Sequence, residues 1–283
     1  MQLLDYDISQ QYSAIVQQSK RITPQDTEEV REIVIKIQDP SFAFKVGQCI
    51  GVIVPGPHDM GHKHHFRLYT IADIPKSRGL HQIELCVKRI TYIDEYSGES
   101  YPGIASNFLC DLQQGASIEI TGPYELPFQI PTDKSANLLM IGMGTGIAPF
   151  RAFVKHIYQQ VGNWQGKVRL FYGARTGLES LYMNDQQNDF VQYYDEETFQ
   201  AFNAISPRAH WGDAIDLDKI LVEQKDEVWD MLQQTNTYVF IAGQEKIKIA
   251  LENAFSQMAG SRAAWGERMQ QLNETKRWGE LIY

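Results

Sequence analysis

The four apolar residues 138–141 run into Gly142-Met143-Gly144-Thr145-Gly146-Ile147-Ala148-Pro149, after which Phe150, Phe153, Val154 and Ile157 recur at helical spacing as far as Gln160. A strand, a glycine-rich turn and a helix in that order open a βαβ unit, which leads to a parallel sheet covered by helices on both faces. Glycines in such a turn let the backbone approach a pyrophosphate. The following helix N-terminus offers unpaired N–H donors and partial positive charge, and Pro149 near the first helical position costs little. The spacing departs from G-x-G-x-x-G, so an ordinary dinucleotide dehydrogenase is a poor match. Taken alone, the segment is weak evidence, since a tight strand-to-helix turn has the same pattern. Strands at 168–172 and 238–242 continue the alternation, the second followed by a helix over 246–258 with Ile247, Leu251, Ala254 and Phe255 on one face.

The first half has a different rhythm. Segments 12–22, 29–37, 49–54, 66–71, 82–90 and 117–120 are short, apolar or β-branched, and bounded by turn residues such as Pro55, Gly56, Pro75, Gly79, Gly115 and Gly122. Strands at that spacing predict a closed or sandwiched β domain. One helix interrupts it, with Ser106 as cap of 107–112 and Gly115 as stop. The proline-bearing stretch 123–135 reads as a connector, giving a β domain over 1–136 and an α/β domain over 137–283. A length of 283 residues suits two domains at about 100–200 residues each.

Charge and composition narrow the function. Lys and Arg total 26 against 35 Asp and Glu, a net charge of −9, which gives no basic field for a nucleic-acid backbone. No apolar run approaches the ~20 residues of a membrane span. The opening MQLLDYDISQQYS lacks the basic and apolar regions of a secretory signal, so a cytoplasmic location is expected. Three scattered cysteines, Cys49, Cys86 and Cys110, make neither a disulfide scaffold nor a four-cysteine iron–sulfur site. His58, His62, His64 and His65 cluster within 55–65 beside one acid, Asp59, and read as a solvated loop rather than a metal site. The acidic run 195–197 reads as a helix start or a solvated charge run.

Upstream, Arg67-Leu68-Tyr69-Thr70 places a cation, an aromatic ring and a hydroxyl together at a strand end. Arginine can neutralise a phosphate, a ring can stack on a planar heterocycle, and a hydroxyl can donate to a ring heteroatom. Alone, this too is an ordinary strand. In company it closely resembles the flavin signature Arg-x-Tyr-Ser/Thr of the plant-type ferredoxin–NADP(+) reductase family. Leu85-Cys86-Val87-Lys88-Arg89 is similar to the family's strand beside the FAD pyrophosphate, and Gly103-Ile104-Ala105-Ser106 to its Gly-x-x-Ser phosphate turn. Downstream, Gly144-Thr145-Gly146-Ile147-Ala148-Pro149-Phe150-Arg151, Phe171-Tyr172-Gly173-Ala174-Arg175 and Tyr238-Val239-Phe240-Ile241-Ala242-Gly243 follow the family's NADP domain in order. The chain stops at an aromatic residue, Tyr283.

The resemblance implies an antiparallel β-barrel holding FAD and a parallel α/β domain holding NADP(H). It implies hydride transfer between these two and single-electron exchange with ferredoxin or flavodoxin. Tyr69 would stack on one flavin face and Thr70 hydrogen-bond near its reactive edge. Arg67 and Ser106 would hold the pyrophosphate with the backbone at Ile104 and Ala105; Leu68, Cys86, Val87, Lys88, Gly103 and Thr145 complete the FAD set, and Tyr92 would stack on the adenine. Tyr283 would cover the opposite flavin face and move aside for nicotinamide. Gly144, Thr145, Gly146, Ala174, Arg175, Ser206, Arg208, Gly243 and Gln244 form the expected NADP set, with Thr70, Glu280 and Tyr283 at the catalytic centre. Lys20, Arg21, Lys88 and Arg89 are candidate contacts for an acidic carrier, against ordinary surface charge.

Three departures stand out. Ala242-Gly243 replaces the family's Cys-Gly. Glu280 lies three residues before the end, where the plant carboxylate lies two before it, at Leu281. Ser206-Pro207-Arg208 echoes the 2′-phosphate pair, without its following Lys and Tyr in 212–216. The alternative reading is therefore an NADH-dependent reductase feeding an oxygenase or a heme protein; a flavin-binding module without turnover is a third.

Overall fold

A computed structural model describes residues 3–56, 64–76, 81–209 and 214–283. Its chain divides into two units between Leu126 and Pro127, earlier than the 136/137 boundary expected from the prolines. Phe128 explains the difference: its ring stacks 5.0 Å from Phe240 and 6.0 Å from Phe150, so the connector packs with the second unit.

In the first unit, Tyr12, Ala14 and Val16 are buried at every second position of β1 (Gln11–Arg21), the period a strand with one covered face requires. β2 (Val30–Ile37), β3 (Gln48–Pro55), β4 (His64–Thr70), β5 (Gln82–Lys88) and β8 (Ser117–Glu125) join it in a six-stranded antiparallel sheet, ordered β4-β3-β8-β1-β2-β5. The two edges of this sheet meet. Ile71 bridges to Leu85, and the Ala72 N–H donates to Glu84 O at 2.8 Å, closing the sheet into a barrel around Ile33, Ile35, Ile50, Val52 and Ile120. Between β5 and β8 lie the exposed hairpin β6 (Thr91–Ile93) and β7 (Ser100–Pro102), then helix α1 (Ile104–Asp111), whose Leu109 and Cys110 join the core.

Helix α1 begins earlier than Ser106 as a cap would place it. Gly103 is the cap residue, and Ser106 sits in the first turn, its hydroxyl accepting the Ile90 N–H at 3.2 Å. That hydroxyl is thereby engaged away from the helix N–H groups.

The second unit alternates strand and helix: β9 (Asn137–Met143), α2 (Ile147–Lys155), β10 (Val168–Ala174), a small hairpin β11 (Met183–Asn184) and β12 (Gln187–Asn188), β13 (Phe199–Ile205), α3 (Leu217–Glu223), α4 (Lys225–Gln233), β14 (Thr237–Gly243), α5 (Ile247–Met258), α6 (Arg262–Glu274) and β15 (Trp278–Ile282). The parallel sheet runs β13-β10-β9-β14-β15. Strands β9 and β10 are buried along their whole length, as expected where helices cover both faces. Leu139, Ile141, Val239 and Ile241 face Leu221, Val228, Leu251 and Phe255; Phe150, Phe153 and Phe240 pack with Phe128. Because β9 is flanked by β10 on one side and β14 on the other, the order of winding reverses there. Ligands of open α/β sheets bind beyond the strand ends at such a reversal. Among the described residues, no helix is long and apolar enough to cross a membrane.

Candidate functional site

The turn after β9 stands at this reversal. Gly144 has φ +56°, a left-handed conformation that only glycine adopts readily. Gly146 is required for another reason: a Cβ there would lie 2.1 Å from the Ala242 carbonyl oxygen. Its absence lets the turn press against the end of β14, independently of any ligand. Thr145 Oγ1 lies 2.8 Å from the Tyr283 hydroxyl, and the Tyr283 N–H donates to Gly243 O at 3.2 Å, so the C-terminus is fastened to both β9 and β14 ends. The Tyr283 ring is 59% exposed.

Neighbouring strands end at the same edge. Ala174 and Ile205 are register partners, so Arg175 and Ser206 emerge side by side, and the Ser206 N–H donates to Arg175 O at 3.3 Å. Ala174 and Ser206 are buried, while the guanidinium-bearing Arg175 and Arg208 are exposed. Gly243 ends β14, and Gln244 turns the chain into α5 by accepting the Ile247 N–H at 3.0 Å. The expected NADP residues therefore gather along the carboxyl edge of one sheet, where two exposed cations suit a phosphate.

Glu280 does not join them. Trp278, Glu280 and Ile282 alternate along β15 with Gly279 and Leu281, which puts the carboxylate on the strand face it shares with Trp278. There it accepts from Trp278 Nε1 at 2.7 Å and pairs with Lys248 Nζ at 3.4 Å on α5. The carboxylate expected at the catalytic centre is thus engaged by Trp278 and Lys248.

In the first unit, Arg67, Leu68, Tyr69 and Thr70 end β4. Arg67 is exposed, its Nη1 donating to Phe66 O at 2.8 Å, and Thr70 pairs with Cys49 across the ladder. Tyr69 packs against the barrel core, and burial pushes its phenol up from the usual range. Burial likewise pushes the Cys49 thiol up to about 12 and the Cys110 thiol to about 11, so both are neutral packing groups.

The α1 turn has the features of an anion site. Gly103 supplies no side-chain cap, leaving the first N–H donors of the helix to an external acceptor. Ile104 is exposed, whereas Ala105 and Ser106 are buried. Asn107 shapes the turn: its Nδ2 donates to Ile90 O and Gly103 O, both at 2.8 Å. Arg89 holds Asn107 Oδ1 at 2.8 Å, Glu29 at 2.7 Å and Asp111 at 2.8 Å. Burial works to raise the Glu29 pKa, but bonds from Arg89 and Arg31 outweigh it, and the carboxyl lies below its ordinary value. Cys86 and Val87 are buried in β5, and Lys88 pairs with Glu28. Arg21 donates to the carbonyls of Thr23, Pro24 and Thr27, so Arg21, like Lys88 and Arg89, carries intramolecular bonds.

Tyr92 is 54% exposed and stacks on Tyr101 with centroids 5.8 Å apart and planes 28° from parallel. The partner ring was missed because β6 and β7 are three residues each, although the Ser97-Gly98 turn between two tyrosines was its signal. His58 and His62 lie outside the described residues; among those described, no group of three or more His, Cys, Asp or Glu side chains is placed to hold a metal. Residues 195–197 are an exposed turn before β13.

Residues 140–252 match the family described as Oxidoreductase NAD-binding domain, which makes the second unit a nucleotide-binding module of oxidoreductase type. The chain is 32% identical over 251 residues to the chloroplastic ferredoxin–NADP reductase, leaf isozyme 1, of Oryza sativa subsp. indica, covering 85% of this chain and 68% of the relative. It is 30% identical over 262 residues to the ferredoxin–NADP reductase of Spirulina sp., covering 90% and 88%. In fold it follows the solved ferredoxin–NADP+ reductase of Plasmodium falciparum, with a TM-score of 0.72, 19% identity, and coverage of 99% and 98%. A mutant of that protein in complex with 2′P-AMP superposes equally well, with a TM-score of 0.72 at 18% identity over 99% and 98% of the chains. The chain belongs to the ferredoxin–NADP reductase family.

Proposed function

We propose that this protein is an FAD-dependent ferredoxin– or flavodoxin–NADP(+) reductase. The observation that carries the reading is the convergence of the Gly144–Gly146 turn, Arg175, Ser206, Arg208 and the C-terminal Tyr283 on one sheet edge. The first unit fits FAD: the uncapped α1 N-terminus, with Gly103, Ile104 and Ala105, and the exposed Arg67 suit a pyrophosphate, and Tyr92 suits an adenine. Tyr69 presents a ring and Thr70 a hydroxyl for the isoalloxazine. The second unit fits NADP(H), with the turn N–H groups for the pyrophosphate and Arg175, Ser206 and Arg208 for the 2′-phosphate.

When bound, FAD supplies the exchange between two-electron hydride chemistry and one-electron transfer to a protein carrier. The chain's residues bind and orient the two nucleotides, and Tyr283 competes with the nicotinamide for its place, weakening the ground-state complex in favour of turnover. The carrier docks without a large field to draw it in, since the net charge is −9 and Lys88 and Arg89 are paired with Glu28 and Glu29. A cytoplasmic setting goes with this reading, and three buried cysteines outside any disulfide suit it.

Anaerobic mixing of the purified yellow protein with NADPH or NADH in a stopped-flow cell tests the reading. Rapid flavin bleaching by NADPH alone, followed by electron transfer to added ferredoxin, is the expected result. Preference for NADH would move the assignment to an oxygenase reductase; no bleaching by either would remove the enzymatic role.

A further inference from the structure

The phenol of Tyr172 is buried in the second unit, and its hydroxyl donates to the carbonyl oxygen of Gly144 at 2.9 Å. Tyr172 stands on β10 opposite Gly142 of β9, so the sheet position next to it on the way to the turn carries no side chain. A trans peptide is planar, and its C=O points opposite to the N–H of the next residue. Tethering Gly144 O to the buried phenol therefore aims the Thr145 N–H the opposite way, away from Tyr172. Gly144 O also accepts the Ile147 N–H, so two donors from different elements fix this peptide plane.

From this geometry we propose that Tyr172 is a positioning residue for nucleotide binding: its hydroxyl sets the orientation of the Gly144–Thr145 peptide so that the Thr145 N–H meets the pyrophosphate. Tyr172 touches no ligand itself. The φ of +56° at Gly144 gives this tether its importance, because glycine has wide backbone freedom and a turn held only by its own hydrogen bonds samples other peptide orientations. A donor already aimed at its acceptor saves the ordering cost at binding. The inference rests on the NADP(H) assignment made above.

Tyr172→Phe retains the buried ring and removes the tether. In the FAD-loaded protein, NADP(+) affinity, read from the flavin difference spectrum, should fall roughly 3–10-fold, the scale of one hydrogen bond. The NADPH KM should rise with it while kcat changes less than twofold and FAD content is unaltered. Tyr158→Phe is the control. It removes a 2.9 Å bond to Thr198 elsewhere in the same unit and should leave both values in place. Independently of any variant, NADP(+) should slow hydrogen exchange at the Thr145 amide of the native protein. Equal NADP(+) affinity in native and Tyr172→Phe proteins, an equal loss in Tyr158→Phe, or an unprotected Thr145 amide would overturn the inference and leave the functional assignment standing. A native protein that binds no NADP(+) would overturn both.

Discussion

The hydroxyl oxygens of Tyr283 and Thr145 lie 2.8 Å apart, joining the last residue of the chain to the glycine-rich turn. One such bond contributes about 0.5–1.5 kcal/mol net, enough to bias the ring's position and too little to hold it against a competing nucleotide. Tyr283→Ser removes both bond and ring. The ratio of kcat/KM for NADPH over NADH should fall by roughly tenfold, about 1.4 kcal/mol. Tyr283→Phe should retain most of that ratio, since it keeps the ring; steady-state kinetics with both nucleotides decides.

Tyr69 packs on the barrel core and belongs to the expected flavin contact. Losing an aromatic stacking partner costs about 0.5–1.5 kcal/mol beyond buried area. Tyr69→Ala should accordingly raise the FAD dissociation constant about tenfold, measured from flavin fluorescence after dilution. Full retention of FAD would count against the contact.

Gly146→Ala tests the scaffold. With the Ala242 carbonyl oxygen 2.1 Å from the new methyl, the turn and β14 must separate. Overpacking of this kind costs about 1–3 kcal/mol, which should appear as a lower urea midpoint. A midpoint equal to the native one would show that the backbone yields freely.

Acid stability turns on Glu227. Arg169 donates Nε and Nη2 to its two carboxylate oxygens at 2.9 and 2.8 Å, and these bonds, aided by Lys167, hold the carboxyl at about 2 against an ordinary 4.5. A depressed carboxylate pKa means stability present above the unfolded value and lost as protons bind. The pair's contribution should thus be complete above about pH 4.5 and gone near pH 2. Thermal midpoints of Glu227→Gln, followed through that window, should fall less steeply than those of the native protein; parallel curves would refute the assignment.

Much of this was legible in the residues. β9, β10 and β14 announce themselves because strands buried on both faces are apolar throughout, and α5 does so through four apolar residues at helical spacing. In the barrel, β1 shows instead through alternation, with Tyr12, Ala14 and Val16 buried at every second position. By contrast, β13 with Gln200 and Asn203 lies at a sheet edge where only one side needs apolar cover, and α6 buries only Trp265 and Leu272, so neither has a clear period. At the site, the glycine turn and the Arg67–Thr70 motif can be read directly. Tyr172 and Asn107 cannot, since their roles depend on which carbonyl lies within reach after folding. The same holds for Glu280, whose partners Trp278 and Lys248 are fixed only after β15 packs beside α5.

The contact between Gly146 and Ala242 separates ancestry from activity. A glycine demanded by backbone crowding survives the loss of any ligand, so a text search for the turn will keep finding members of this fold whether or not they still turn over a nucleotide. The informative letters are its neighbours: threonine at 145 and tyrosine at 172 have no part in that crowding, and their replacement in a cousin would mark the point where the scaffold outlived the chemistry.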